Sequence, residues 1–205
     1  MAELHLTPED WSKKKERYWP TFFNTISGPR SVVMIGTQDG AGISNIGLFN
    51  SLVHLGANPP LLGFILRPTT VARHTYENLK RNGCYTINHG LQSEVEAIHQ
   101  TSAKYEADED EFERCGWKKQ AIAGFDAPFV AESVIKLGMR YVDEHLIPQN
   151  GTRLIVGRVE HVLIDEQFVE EDGFINTSAA ETLISCGLDA YFKYESLKRL
   201  PYARP

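Results

Sequence analysis

Little in this chain points to metal, disulfide or dithiol chemistry. Only three cysteines occur in 205 residues, Cys84, Cys115 and Cys186, and none falls in a C-x-x-C pair. Neither a zinc site nor a redox dithiol is signalled, and scattered, buried free thiols in a reducing cytoplasm are the expectation. No stretch reaches the roughly 20 apolar residues that a spanning helix needs. The first 17 residues are polar and charged, without the apolar run of a secretion signal. Asn150-Gly151-Thr152 therefore reads as a turn rather than as a sugar acceptor. Positive charge is also scarce, with 21 Lys and Arg against 27 Asp and Glu, a net of -6. That balance argues against general nucleic-acid binding, although a local basic cluster keeps its meaning. Gly40-Ala41-Gly42 begins like a dinucleotide loop, but Asn45 stands where the third glycine belongs and a strand-like run follows. No phosphate-binding loop with Gly-Lys-Ser/Thr occurs either. His54, His89, His99, His145 and His161 are dispersed, which favours ordinary structural roles over a metal site. The acidic run 106–113 lacks the spacing and glycine of a calcium loop and reads as a solvated loop.

What is present is a hydrophobic content of 42%, enough for one sizeable core, and a succession of short β-prone runs. Thr7, Pro8 and Asp10 open a helix over 11–19 that should stop before Pro20. Strands are expected over 31–37, then 43–55 after the turn Asp39-Gly40-Ala41-Gly42, then 61–66 after Asn58-Pro59-Pro60. A helix over 71–81, capped by Thr69 or Thr70 and ended by Asn82-Gly83, leads into a strand over 84–88. Ser93 starts a second helix through His99, with Glu96 as its capping-box partner. Residues 133–142 and 153–163 form the arms of a hairpin around Asn150-Gly151, and the segment after Thr177 carries a short helical pattern. With no internal repeat or long linker, a single domain over 1–205 of about six strands and a few helices is expected. Strands separated by turns alone favour an antiparallel sheet or barrel.

Two stretches could carry chemistry. Residues 67–82 hold four Lys or Arg and one Glu in an otherwise acidic chain, with Thr69, Thr70, His74 and Thr75 at the start of a helix. Unpaired N–H groups, hydroxyls and a guanidinium suit a phosphate monoester; a capped surface helix with solvated charges is the alternative. The second stretch, 45–51, places Asn45, Asn50 and Ser51 in an apparent core strand, where asparagine is disfavoured. Either a flat heterocycle bonds along the strand edge, or a bulge near Gly47 satisfies these groups internally.

Together with Gly36-Thr37, Asp39-Gly40, Asn58-Pro59-Pro60-Leu61-Leu62-Gly63-Phe64, Arg67-Pro68-Thr69, His74-Thr75-Tyr76-Glu77-Asn78-Leu79 and Gly83-Cys84-Tyr85-Thr86-Ile87-Asn88, this order of motifs resembles the flavin reductase-like FMN-binding family over about 28–165. Gly187-Leu188-Asp189-Ala190-Tyr191 and Tyr202-Ala203-Arg204-Pro205 resemble one branch of it. The resemblance implies a mainly β fold, a six-stranded antiparallel split β-barrel with flanking helices, that forms a homodimer and holds FMN near the subunit interface. It implies that Asn45, Phe49, Asn50 and Ser51 face the ring or ribityl chain, and that Arg67, Thr69, Thr70, His74 and Thr75 surround the phosphate. The implied reaction is hydride transfer from NADH or NADPH to the flavin, with onward passage of electrons to a partner. The alternative is an electron carrier of the flavoredoxin kind, without nicotinamide turnover. The flavin supplies the chemistry, and no catalytic side chain is assigned.

Overall fold

Twelve strands and four α-helices follow from these runs in a computed structural model that describes residues 2–204. Met1 and Pro205, the ends of the expected domain and of the tail motif, lie outside the described residues. The strands are β1 (Arg30–Ser31), β2 (Val33–Gln38), β3 (Ser44–Phe49), β4 (Val53–Ala57), β5 (Pro60–Leu66), β6 (Cys84–His89), β7 (Lys119–Ile122), β8 (Phe125–Val130), β9 (Ile135–Ile147), β10 (Thr152–Ile164), β11 (Ile184–Cys186) and β12 (Ala190–Phe192). The helices are α1 (Tyr18–Ile26), α2 (His74–Asn82), α3 (Val95–Gln100) and α4 (Glu111–Arg114).

The main sheet is antiparallel, in the order β3-β2-β6-β9-β10-β5-β4. Its two edge strands, β3 and β4, are neighbours in the chain, joined only by residues 50–52. The sheet therefore curls until its edges meet at a corner without a ladder between them, which is a split barrel. Period-two alternation fills it: Val33 and Ile35, Phe64 and Leu66, and Tyr85 and Ile87 point inward with Met139 and Ile155, and Leu79 of α2 plugs one end. The opposite faces of β2 and β3 bury Met34 and Ile46, with Val32 just before β2, against Ile98, Phe112 and Trp117. The β7–β8 hairpin packs a third cluster, Phe125, Ala127 and Phe129, on Cys84. Gly157, at a register shift of β10, is required by close approach: a Cβ there would overlap the Tyr85 hydroxyl.

Several expectations change. The main sheet has seven strands rather than six, because the run 43–55 breaks at Asn50-Ser51 into β3 and β4. Pro20 does not stop the first helix. Thr7 and Asp10 cap a 3-10 turn, Pro8–Lys13, and a separate helix starts at Tyr18, so Pro20 sits in its first turn, where a missing N–H costs nothing. Thr69 and Thr70 do not cap α2, which begins at His74 with Arg73 as its N-cap; Gly83, at φ 68°, ends it as expected. Ser93 lies inside a 3-10 turn, Gln92–Glu94, ahead of α3. The segment after Thr177 has turns and then β11, which pairs with β1, and β12, which pairs with β11, in place of a helix. Of the three cysteines, all are free and Cys84 is buried. Among the described residues no helix is long and apolar enough to cross a membrane.

Candidate functional site

A cavity of about 710 Å³ opens where the barrel is split, within the size range of small-molecule sites. One wall is β3 and the 50–52 corner; a second is the end of β5, the loop after it and the first turn of α2. The far wall is the 101–106 segment, Glu111 and the β11–β12 turn.

β3 is an edge strand, so half of its N–H groups face outward without a ladder partner. Two are covered: Ser44 N donates to Asp110 Oδ2 at 3.2 Å, and Ile46 N donates to Glu111 Oε2 at 2.8 Å. By alternation the next outward donor is Leu48 N–H, where the strand runs into the cavity. Gly47 leaves this floor open. A Cβ there would stand 3.2 Å from the Phe49 ring and 3.4 Å from Thr75 Oγ1.

The polar residues of this stretch line the cavity and are bonded internally, but no bulge does this: β3 pairs with β2 in unbroken register from Ser44 to Phe49. Asn45 Nδ2 donates to Thr75 Oγ1 at 3.0 Å, locking the strand to the start of α2. Asn50 Nδ2 donates to Gly187 O at 2.8 Å and Ser185 Oγ at 3.1 Å, tying the corner to β11. Ser51 Oγ accepts from Ile65 N at 3.0 Å and donates to Ile65 O at 3.3 Å, closing the corner onto β5. Phe49 packs edge-on to Phe64, with centroids 5.0 Å apart.

The α2 end is basic. Arg67, Arg73 and His74 line it, and neither arginine enters an ion pair among the described residues. Arg73 is held by Nε donation to Pro68 O at 3.3 Å and by its N–H to Glu77 Oε1 at 3.2 Å. The α2 N-terminus has no side-chain cap, so its first N–H groups stay available beside this cation pair. Of the nine residues singled out from the sequence, Asn45, Phe49, Asn50, Ser51, Arg67, His74 and Thr75 meet at the cavity; Thr69 and Thr70 are exposed outside its lining.

Arg73 belongs to the basic stretch already recognised, but the far wall was not foreseen. The acidic run is a solvated loop only over its first part, where Glu106 and Asp108 are exposed, and not from Asp110 on. Asp110 caps α4, accepting from Phe112 N at 3.1 Å and Glu113 N at 3.3 Å, and Glu111 and Phe112 are buried. Phe112 amid six acids was the available signal of an amphipathic turn. His99 Nδ1 and Tyr191 Oη, 2.7 Å apart, join the α3 end to β12 beside the cavity. Among the described residues no three His, Cys, Asp or Glu side chains converge as a metal site would require.

Residues 27–181 match the flavin reductase-like domain family. A "putative flavin reductase with split barrel domain" from Shewanella frigidimarina NCIMB 400 shares 43% identity, with a TM-score of 0.93 over 98% of this chain and 100% of that one. Nitrilotriacetate monooxygenase component B from Bacillus cereus superposes with a TM-score of 0.84 at 20% identity, over 98% of this chain and 100% of that one. Flavoredoxin of Desulfovibrio vulgaris (Miyazaki F) superposes with a TM-score of 0.74 at 19% identity, over 85% and 92%. The last two show a common fold.

Proposed function

The chain belongs to the flavin reductase-like domain family, with a flavin-linked oxidoreductase role, and from that premise we propose that it holds FMN at the split of the barrel and passes hydride to it from NADH or NADPH. One observation carries this reading: an uncapped helix start and two arginines that make no ion pair among the described residues stand at one end of a cavity whose floor is an open strand edge. The donor set fits the group. Arg67, Arg73 and the first N–H groups of α2 suit a phosphate, a charge-assisted contact strengthened by the helix dipole. The β3 edge offers the alternating donors and acceptors that a flat pyrimidine edge complements, and Gly47 leaves room for it.

Bound FMN supplies the redox chemistry, taking up a hydride and giving up its electrons again. The chain orients and shields it. Asn45 and Thr75 hold strand and helix together, so that the two ends of the site keep their spacing. Leu188 and the 101–106 segment form its far wall. We also propose that the chain acts as a homodimer, with an electron acceptor as its further partner. Val53 and Leu55 on edge strand β4, Val142 and Leu146 on β9, and Val162 on β10 are exposed, an apolar surface that a second copy would cover.

The test uses purified protein. It should be yellow, or turn yellow with added FMN, and the flavin bands should bleach anaerobically with NADH or NADPH. A colourless protein that takes up no FMN removes the proposal. Bound flavin that neither nicotinamide bleaches leaves the electron-carrier reading in its place.

A further inference from the structure

Glu111 and Asp110 are neighbours with the same structural task and opposite electrostatic fates. Each takes one outward N–H of β3. Burial works against the Asp110 charge, but the ion pair with Lys119 and the N–H groups of Ser44 and Glu113 outweigh it, and its carboxyl stays below the usual range. Glu111 has no such partner. The residue is 7% exposed and makes no ion pair among the described residues. Oε2 accepts from Ile46 N, and Oε1 has no hydrogen bond among the described residues, although the residue lines the cavity.

From this geometry, and resting on the FMN reading above, we infer that Glu111 is the proton-coupling residue of the site: it takes up a proton when negative charge enters the cavity. Hydride passed to FMN held in the cavity would bring two electrons and one proton, and so one negative charge more than the oxidised group carries. A second proton then moves from water to the Glu111 carboxylate, and no bond between Glu111 and the flavin forms. Burial pushes the Glu111 carboxyl up to about 7, with repulsion from Asp110 and Glu109 adding to it and the Ile46 N–H opposing. It is therefore poised where one further negative charge tips it.

The groups around it agree. On its own segment, Arg114 is spent on Glu109 and Lys119 on Asp110. β3 presents only uncharged Ser44, Asn45 and Ile46. The far wall brings Lys104, Tyr105 and Glu106, with Asp189 and His99 beyond, and Cys115 approaches Tyr105 Oη at 3.7 Å. Arg73 and His74 line the same cavity, at its basic end.

The test is the midpoint potential of the FMN-loaded protein against pH, for wild type and Glu111→Gln. Glutamine keeps an acceptor for Ile46 N–H and removes the ionisable proton, so a purely edge-capping role predicts identical curves. The inference predicts one extra proton per two electrons in the wild type. Its potential should fall more steeply by about 30 mV per pH unit over a window opening near pH 7, since a tenfold change is 29.6 mV for a two-electron couple. Parallel curves overturn it. Should Glu111→Gln fail to fold, the infrared difference spectrum of wild type on photoreduction decides: a protonated carboxyl stretch must appear at pH 7.5, and its absence overturns the inference. A wild type that binds FMN with no such signal refutes the Glu111 role alone. A wild type that takes up no FMN refutes the FMN reading and this inference with it.

Discussion

Glu111→Gln should make the protein without added flavin more stable at pH 8 than the wild type, and much less so at pH 5. Burial lifts the carboxyl from 4.5 to about 7, so the native state binds its proton more tightly than the unfolded chain does. Between those values the folded form carries more protons, and stability must fall as pH rises. At 1.36 kcal/mol per pKa unit the wild type loses at most about 3 kcal/mol across the window, and the loss is complete above pH 7. Glutamine does not titrate, so the variant lacks this loss. For a chain of this size, about 2–4 °C of Tm per kcal/mol turns the difference into at most roughly 6–12 °C. Thermal and urea unfolding of both proteins at half-unit steps from pH 5 to 8.5 give the difference curve, in which every other titrating group cancels. A flat difference curve would show that Glu111 ionises as an exposed carboxylate does, and that its burial against β3 is wrong.

Arg67→Gln should weaken FMN by roughly 10- to 100-fold, the worth of one charge-assisted hydrogen bond, and leave riboflavin affinity unchanged; equal losses for both ligands by fluorescence titration would contradict the phosphate assignment. Gly157→Ala should cost about 1–3 kcal/mol by driving a methyl onto the buried Tyr85 hydroxyl. Tyr85→Phe removes a buried hydroxyl without a hydrogen-bond partner among the described residues and should be neutral or stabilising. Combined with Gly157→Ala it should recover part of the loss, so strictly additive urea-unfolding energies would speak against this contact. Thr75→Val should cost about 1–3 kcal/mol by leaving Asn45 Nδ2 buried without its acceptor; an unchanged Tm would place that bond outside the stability of the site.

The strands were legible because their β-branched runs alternate and are punctuated by Gly, Pro and Asn-Gly, and the Asn150-Gly151 hairpin and the Gly83 helix end follow from turn chemistry. The cavity was legible in part. Asn45, Asn50 and Ser51 stand out because polar side chains in a strand need partners, yet their partners, Thr75, Gly187 and Ile65, lie up to 137 residues away and no local pattern names them. The break at Asn50-Ser51 was hidden by apolar residues on both sides, since the run reads as one strand until the sheet curls. Thr69 and Thr70 look like caps by type, but helix α2 starts at His74, so the hydroxyls fall outside. Glu111 was missed because charge in a row implies solvent, whereas here an edge strand demanded acceptors and the acidic run met that demand.

The central claim is that the basic end of the cavity grips a phosphate while the open β3 edge holds the ring. Calorimetric titration of the flavin-free protein with FMN and with riboflavin measures it directly. The account predicts FMN binding at least tenfold tighter than riboflavin, with the preference shrinking as salt is raised. Equal affinities at low salt, or no binding of either, would contradict it.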